Sequence, residues 1–528
     1  MHRSLALLAG LLCSAVLAAE PPKKLIATGW DSPTPARFRA ELVEFERWPF
    51  DGAVIVPTRR VGGEDVKSHL AFSREHWERA EFDTAIADLR AATPRTATHN
   101  FLAVYANPGD VDWFDDAGWR EIVEHWRLLA AAARAGGMRG LLFDAEPYTK
   151  PHEPFRYAAQ TGRREHSFAE YRAKARERGR DTMRAVAAEF PAATILTYRL
   201  LCDVLPALAP GADADAVLEG QGYGLLPAFL DGWLDAMPAG LTVVEGNENA
   251  YLYRSEAEFA AAAAQLKIAA PLLVSPENRA KFRAQVLLAH GIYLDAHTNP
   301  PGHAWHVPPL EGSPAARLES NVAAALRHAD EYVWIYGEAA RWWPGKADVP
   351  LWPEKMPGAD RALRFAKNPV AAARETRGEN LLRNGAFSDS AAHGQLPHWW
   401  TWQDEKSRGK FSLADGAAIL RAMRDGCLGQ GVRVRPGERY AVSARLRRAG
   451  GGTAGVAIRW KTPAGVWIAE GADLHFTPPR GEGWQEIAGV ALVPESAGEL
   501  IVLLCAKQQD DETDRAEFDD VALVKMAR

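Results

Sequence analysis

The sequence predicts an α/β chain: a (β/α)8 TIM barrel followed by an all-β jelly-roll sandwich. Three observations carry this reading. At 528 residues the chain exceeds one ordinary domain. From about residue 23 to 378, short apolar runs alternate with longer helical patterns, as βα units on a parallel sheet require. Beyond about 376 the helical period vanishes, and short alternating runs separated by turn residues take over. The expected division is a targeting segment over 1–19, a barrel over 20–378 and a sandwich over 379–528.

The elements follow in order. "KKLIATGW" (23–30) reads as the first strand, and Thr34 with Pro35 opens the first helix. "GAVIVP" (52–57) and "THNFLAVYA" (98–106) are strands two and three. A helix over 117–137 ends at a glycine pair, and "RGLLFDAEP" (139–147) follows as strand four. A helix over 167–189 leads to "ATILTYRL" (193–200), and "GLTVVEGNENAY" (240–251) is the sixth strand. "VLLAHGIYLDAH" (286–297) is the seventh and "EYVWIYGEAARWW" (331–343) the eighth, with a last helix over 359–375. No glycine-rich phosphate loop follows the first strand, which disfavours an open dinucleotide-binding sheet.

Composition narrows the function classes. A net charge of −6 gives no electrostatic reason to expect nucleic acid or an anionic membrane as partner. Residues 1–19 have a basic start, an apolar stretch and small residues at Ala18 and Ala19, so an exported, periplasmic or extracellular protein is expected. Residue 12 before Cys13 is Leu, where a lipoprotein signal needs a small side chain, and no other run is long enough for membrane insertion. Cys202, Cys427 and Cys505 remain after cleavage; the last two share the C-terminal region, where both a bridge and free thiols stay open. Eighteen tryptophans favour a carbohydrate partner, because indoles stack on sugar faces.

Carboxylates at strand ends are the candidate chemistry. Asp144 and Glu146 stand two apart after an apolar run, so a strand puts them on one face. Glu245 ends strand six and Glu338 ends strand eight, and barrel active sites lie at those C-terminal ends. Crowded carboxylates split their pKa values, leaving one protonated and one charged, as glycoside hydrolysis needs. Glu146 is the preferred general acid, tuned by Asp144, with Glu245 or Glu338 as base or nucleophile. Trp30, Asp31, Tyr148, Arg199, Tyr223, Asn247, Trp342 and Trp343 are the expected substrate contacts. His290, Asp295, His297, His303 and His306 match no zinc spacing, so neither a catalytic metal nor a cofactor is expected.

Two stretches resemble known families. "NLLRNGAFSD" followed by a tryptophan cluster, "GCLGQGVRVRPGERYAVSARLR", "GWQEIAGVALVP" and "AEFDDVALVKM" together resemble the CenC-type carbohydrate-binding modules, across nearly all of 380–525. The resemblance implies a sugar-binding jelly roll and a structural calcium near Asp519 and Asp520; Ser388 stands where members often carry an acid. "GLLFDAEPY" faintly resembles the fourth-strand motif of chitinase-like family 18 glycosidases, with Leu142 in place of the first Asp. The expectation is a secreted glycoside hydrolase acting on a poly- or oligosaccharide. Its rival is a non-catalytic glycan-binding or surface-scaffold protein with a degenerate barrel.

Overall fold

A computed structural model of the chain describes residues 23–310, 312–345, 348–389, 396–469, 473–478 and 483–526. The expected targeting segment, 1–19, lies outside them. The chain divides into two compact units between Ala359 and Asp360.

The first unit is built on a nearly closed parallel barrel sheet. Lys24–Gly29 pairs with Gly52–Ile55 on one side and Tyr332–Gly337 on the other. From Gly52–Ile55 the path continues through Phe101–Pro108, Gly140–Asp144, Thr194–Thr197 and Thr242–Glu245 to Val286–Leu288. The other end of the path is His290–Tyr293, beside Tyr332–Gly337. Only Ala289 separates these two short strands, and its N–H donates to the Glu245 carbonyl at 2.8 Å. The strand called the fourth above is thus Gly140–Asp144, and the ordinals of the other strands keep the same sense.

Both faces of this sheet are covered, which is why its strands read as continuous apolar runs. Ile26, Val54, Phe101, Leu142, Leu196, Val244, Tyr332 and Trp334 fill the barrel interior. Alternate residues face the helices; Phe143 meets Trp126, Phe155, Phe229 and Trp233. Gly140 opens strand four because a Cβ there would stand 1.9 Å from the Thr194 carbonyl oxygen. Helices Pro35–Phe45, Asp83–Ala91, Asp116–Ala135, Phe168–Glu189, Leu226–Ala236, Arg279–Gln285 and Pro314–His328 alternate with the strands.

Several sequence expectations change at element ends. The sixth strand stops at Glu245 and a 3-10 turn covers Glu248–Leu252. The seventh stops at Tyr293, because Asp295 accepts the N–H groups of Glu338 and Ala339 and the chain curls into a turn over Leu294–His297. The expected helix over 359–375 is two, Ala359–Lys367 and Pro369–Glu375, with Asn368 capping the second through the Ala371 N–H at 2.9 Å. A hairpin, Thr58–Val61 with Glu64–Lys67, and a short strand, Leu70–Phe72, follow the second strand without an expectation behind them.

The second unit holds two five-stranded antiparallel sheets. One runs Trp400–Gln403, Asp425–Arg433, Glu499–Lys507, Thr453–Lys461, Leu474–Phe476. The other runs Lys410–Ala414, Ala417–Arg421, Arg515–Lys525, Arg439–Ala449, Gln485–Leu492. Leu428, Val442, Leu446, Ile458, Trp460, Val502, Phe518 and Leu523 form the core between them. Among the described residues no helix is long and apolar enough to cross a membrane.

Candidate active site

The inward face of the barrel strands carries the site, because period-two alternation continues from the core to the mouth. Ile26 leads to Thr28 and Trp30, Ala103 to Tyr105 and Asn107, Leu142 to Asp144 and Glu146. Leu196 leads to Tyr198, and Trp334 to Tyr336 and Glu338. The upper layer is polar: the Tyr198 and Thr28 hydroxyls share a hydrogen bond, and the Tyr336 ring stands edge-on to Tyr198 at 5.9 Å.

Asp144 and Glu146 meet over this layer. Asp144 is wholly buried, and its Oδ1 accepts the Glu146 N–H at 2.9 Å. The Tyr148 hydroxyl lies 2.8 Å from Asp144 Oδ2 and 3.1 Å from Glu146 Oε2, joining the two carboxyls through one phenol. Burial pushes the Asp144 carboxyl up to about 7, and the Glu146 charge adds to that against the Glu146 N–H. Glu146 itself stays partly open to solvent. Asn107, buried at the end of strand three, holds the turn: its Nδ2 donates to the Glu146 carbonyl at 2.7 Å, and its Oδ1 accepts from the Tyr148 N–H at 2.8 Å.

Arg199 ties this pair to a third acid. Its Nη2 stands 2.7 Å from Glu248 Oε1 and 3.7 Å from Glu146 Oε2, its Nη1 reaches Asp203 at 3.2 Å, and its guanidinium stacks on Tyr223 at 4.8 Å. Burial pushes the Glu248 carboxyl up, and the charges of Glu146 and Asp144 push the same way against Arg199. Across the mouth, Glu338 lies beside Tyr293. Burial raises the Glu338 carboxyl first, then the charge of Asp295 and, more weakly, that of Glu146. Trp30 and Tyr148, 70% and 51% exposed, are the open aromatic surfaces beside these groups.

Other expected contacts sit elsewhere. Glu245 is buried, and its carboxylate accepts the N–H groups of Leu200, Leu201 and Asn247 at 3.3, 2.6 and 2.9 Å, so it braces the turns after strands five and six. Asn247 is buried in a left-handed turn at φ 46° with its side chain on His290 Nδ1. Asp31 pairs with Arg37 at 2.8 Å and accepts the Trp343 N–H at 3.1 Å. Trp342 and Trp343 are buried, not on the rim: Trp343 stacks on Phe45 at 3.9 Å, and Trp342 packs edge-on to Trp48 and Phe50. His290 and His297 are buried, and burial holds both imidazoles down near 3.

No set of three or more His, Cys, Asp or Glu among the described residues could hold a metal ion. Asp519 and Asp520, the pair that the module resemblance assigns to calcium, both face Arg445, at 3.4 and 3.2 Å.

The sequence reading missed Asn107 and Glu248, and weighed Asp295 only with the histidines as a metal set. Asn107 had a signal, since it lies two residues beyond Tyr105 on the inward face. Glu248 and Asp295 sit in 3-10 turns, where no strand period points inward.

No family model matches the chain, and no curated protein matches it. Among solved structures it is similar to the enzymatically active domain of tailspike protein 4 from bacteriophage CBA120, at 14% identity over 28% of this chain and 21% of that one, with a TM-score of 0.24. A CBM4 structure is similar at 17% identity over 28% of this chain and 99% of that chain, with a TM-score of 0.22. The CBM22 and GH10 modules of a Clostridium thermocellum endo-1,4-beta-D-xylanase, complexed with xylohexaose, are similar at 15% identity over 24% of this chain and 26% of that one, with a TM-score of 0.20. The chain therefore spans about a fifth of the tailspike domain's length.

Proposed function

We propose that this protein is an exported glycoside hydrolase with a (β/α)8 catalytic barrel, 286–293 counting as one strand interrupted at Ala289, and a carbohydrate-binding sandwich. The observation that carries the reading is the Asp144–Tyr148–Glu146 group. Two hydrogen bonds meet at one phenol oxygen, yet the phenol owns a single proton. A second proton, on one of the two carboxyls, satisfies both contacts, and the raised Asp144 carboxyl is where one resides near neutral pH.

Asp144 is too buried to touch a glycan, so its role is to hold charge and proton beneath Glu146. Glu146 is the open member: the Asp144 proton reaches it through the Tyr148 hydroxyl, and Glu146 passes it to the departing glycosidic oxygen, leaving Asp144 ionised. Glu338, on the facing strand, is the second carboxylate, as base or nucleophile. Glu245 has no part in this, since three backbone N–H groups occupy its oxygens. Arg199 spends its donors on Glu248, Asp203 and Glu146, which leaves carboxylate in excess around the mouth. A neutral glycan suits that field better than a uronate or sulfated one.

Reducing-end release from a panel of neutral and acidic polysaccharides tests this, with wild type beside Glu146→Gln. Turnover of a neutral glycan that falls by about 10² to 10⁴ in the variant is the expected result. A stable Glu146→Gln protein with full turnover removes Glu146 from the chemistry, and retained glycan binding without any turnover in wild type selects the non-catalytic reading.

A further inference from the structure

Two cysteines of the second unit are brought face to face by strand register. Cys427 in Asp425–Arg433 is the direct antiparallel partner of Cys505 in Glu499–Lys507. Directly opposed residues of such a ladder have Cα atoms about 4.5 or 5.5 Å apart, according to the kind of pair. A disulfide accepts Cα separations of about 4.4 to 6.8 Å, so a bond fits either kind without moving the backbone. The two side chains leave the same face of the sheet. Both are free.

Their position is a surface one. Leu428 and Leu504, the next residue along on each strand, point into the sandwich core. Cys427 and Cys505 point to the opposite face, where they form a small apolar cluster with Ala457, Ile501 and Leu503. Along the same register row Cys427 pairs with Trp402, which is 51% exposed, and Cys505 pairs with Gly455. Cys505 is partly exposed and lines a shallow cavity of about 100 Å³ with Gly455, His475 and Lys507. The partial exposure of Cys505 gives a small reagent access to that sulfur.

We propose that Cys427 and Cys505 are a disulfide-forming pair, closed by a low-molecular-weight disulfide oxidant, whose bond crosslinks two neighbouring strands of this sheet. One of the two sulfurs attacks one sulfur of the oxidant, giving a mixed disulfide and releasing one thiol; the other then attacks the protein sulfur of that mixed disulfide and displaces the second thiol. Two protein thiols thereby lose two protons and two electrons, and the oxidant's disulfide becomes two thiols. Cys202, in the first unit, is buried and serves as an internal control. The proposal is independent of the glycosidase reading.

The test exposes the folded full chain to oxidised glutathione at about pH 8, blocks thiols, unfolds, blocks again and digests with trypsin without reductant. The expected product joins peptide 425–433 to peptide 481–507 at a mass two hydrogens below their sum, separable by reductant, with Cys202 alkylated only after unfolding. The oxidised protein should melt at least about 5 °C above the reduced one, since the bond closes a long loop in the unfolded chain. Cys427→Ser and Cys505→Ser should each abolish that rise. Separate alkylated or glutathionylated cysteine peptides, a bond to Cys202, or a crosslink that forms only in denaturant overturns the proposal.

Discussion

Glu146 and Glu245 are both glutamates just beyond an apolar strand, yet their surroundings differ in kind. Glu146 is open, and contacts a phenol and the edge of a guanidinium; Glu245 is buried, with three backbone donors. Glu245→Gln replaces one acceptor oxygen by an amide that cannot accept, and should cost about 1–3 kcal/mol in urea unfolding. Glu146→Gln should unfold within about 0.5 kcal/mol of wild type, because its side chain is partly open to solvent and Gln keeps its shape. Asp144 gives a pH signature. Its folded carboxyl titrates at about 7, above the ordinary value of 3.8, so the native state holds a proton that the unfolded chain releases between those limits. Its stabilising contribution is complete below about pH 4 and is lost as pH rises through about 7. Asp144→Asn should therefore gain stability over wild type at pH 8 by on the order of 1–3 kcal/mol and little at pH 4, read from paired unfolding curves.

At the scale of elements, strand alternation does most of the work of building the site. The inward phase of Leu142 brings Asp144 over the barrel interior and leaves Phe143 among the helices. That much was legible, because a period of two cannot be satisfied by any other face of a strand. Turns were not legible in the same way. Asn107 holds the turn of residues 146–149 by three hydrogen bonds that cross about forty residues of sequence. Asn107→Ala should speed amide exchange at Tyr148 and Thr149 by about tenfold or more while the exchange of Leu141 and Leu142 holds. Trp342 and Trp343 were read as rim residues and lie in the core. An indole looks alike in both settings; the path of the chain back towards Pro35–Phe45 decides which one it occupies.

At the scale of the molecule, the second unit has a hydrophobic core of its own, from Leu382 and Phe387 to Phe518 and Leu523. Residues 360–528 expressed alone should fold and melt in a single cooperative transition with the circular dichroism of a β protein; a non-cooperative melt would show that this core is insufficient. The alternation of apolar runs, the change of texture near 376 and the facing carboxylates Asp144 and Glu146 follow from the sequence by itself. These are local: each rests on residues close in the chain and on the fixed periods of helix and strand. The contact of Tyr148 with both carboxyls, the Arg199 bridge to Glu248, the bracing role of Glu245 and the register that opposes Cys427 to Cys505 were decided by tertiary structure alone. Each joins groups whose spacing comes from barrel closure or strand register. A burial that shifts a carboxyl to about 7 is likewise a property of everything packed around it.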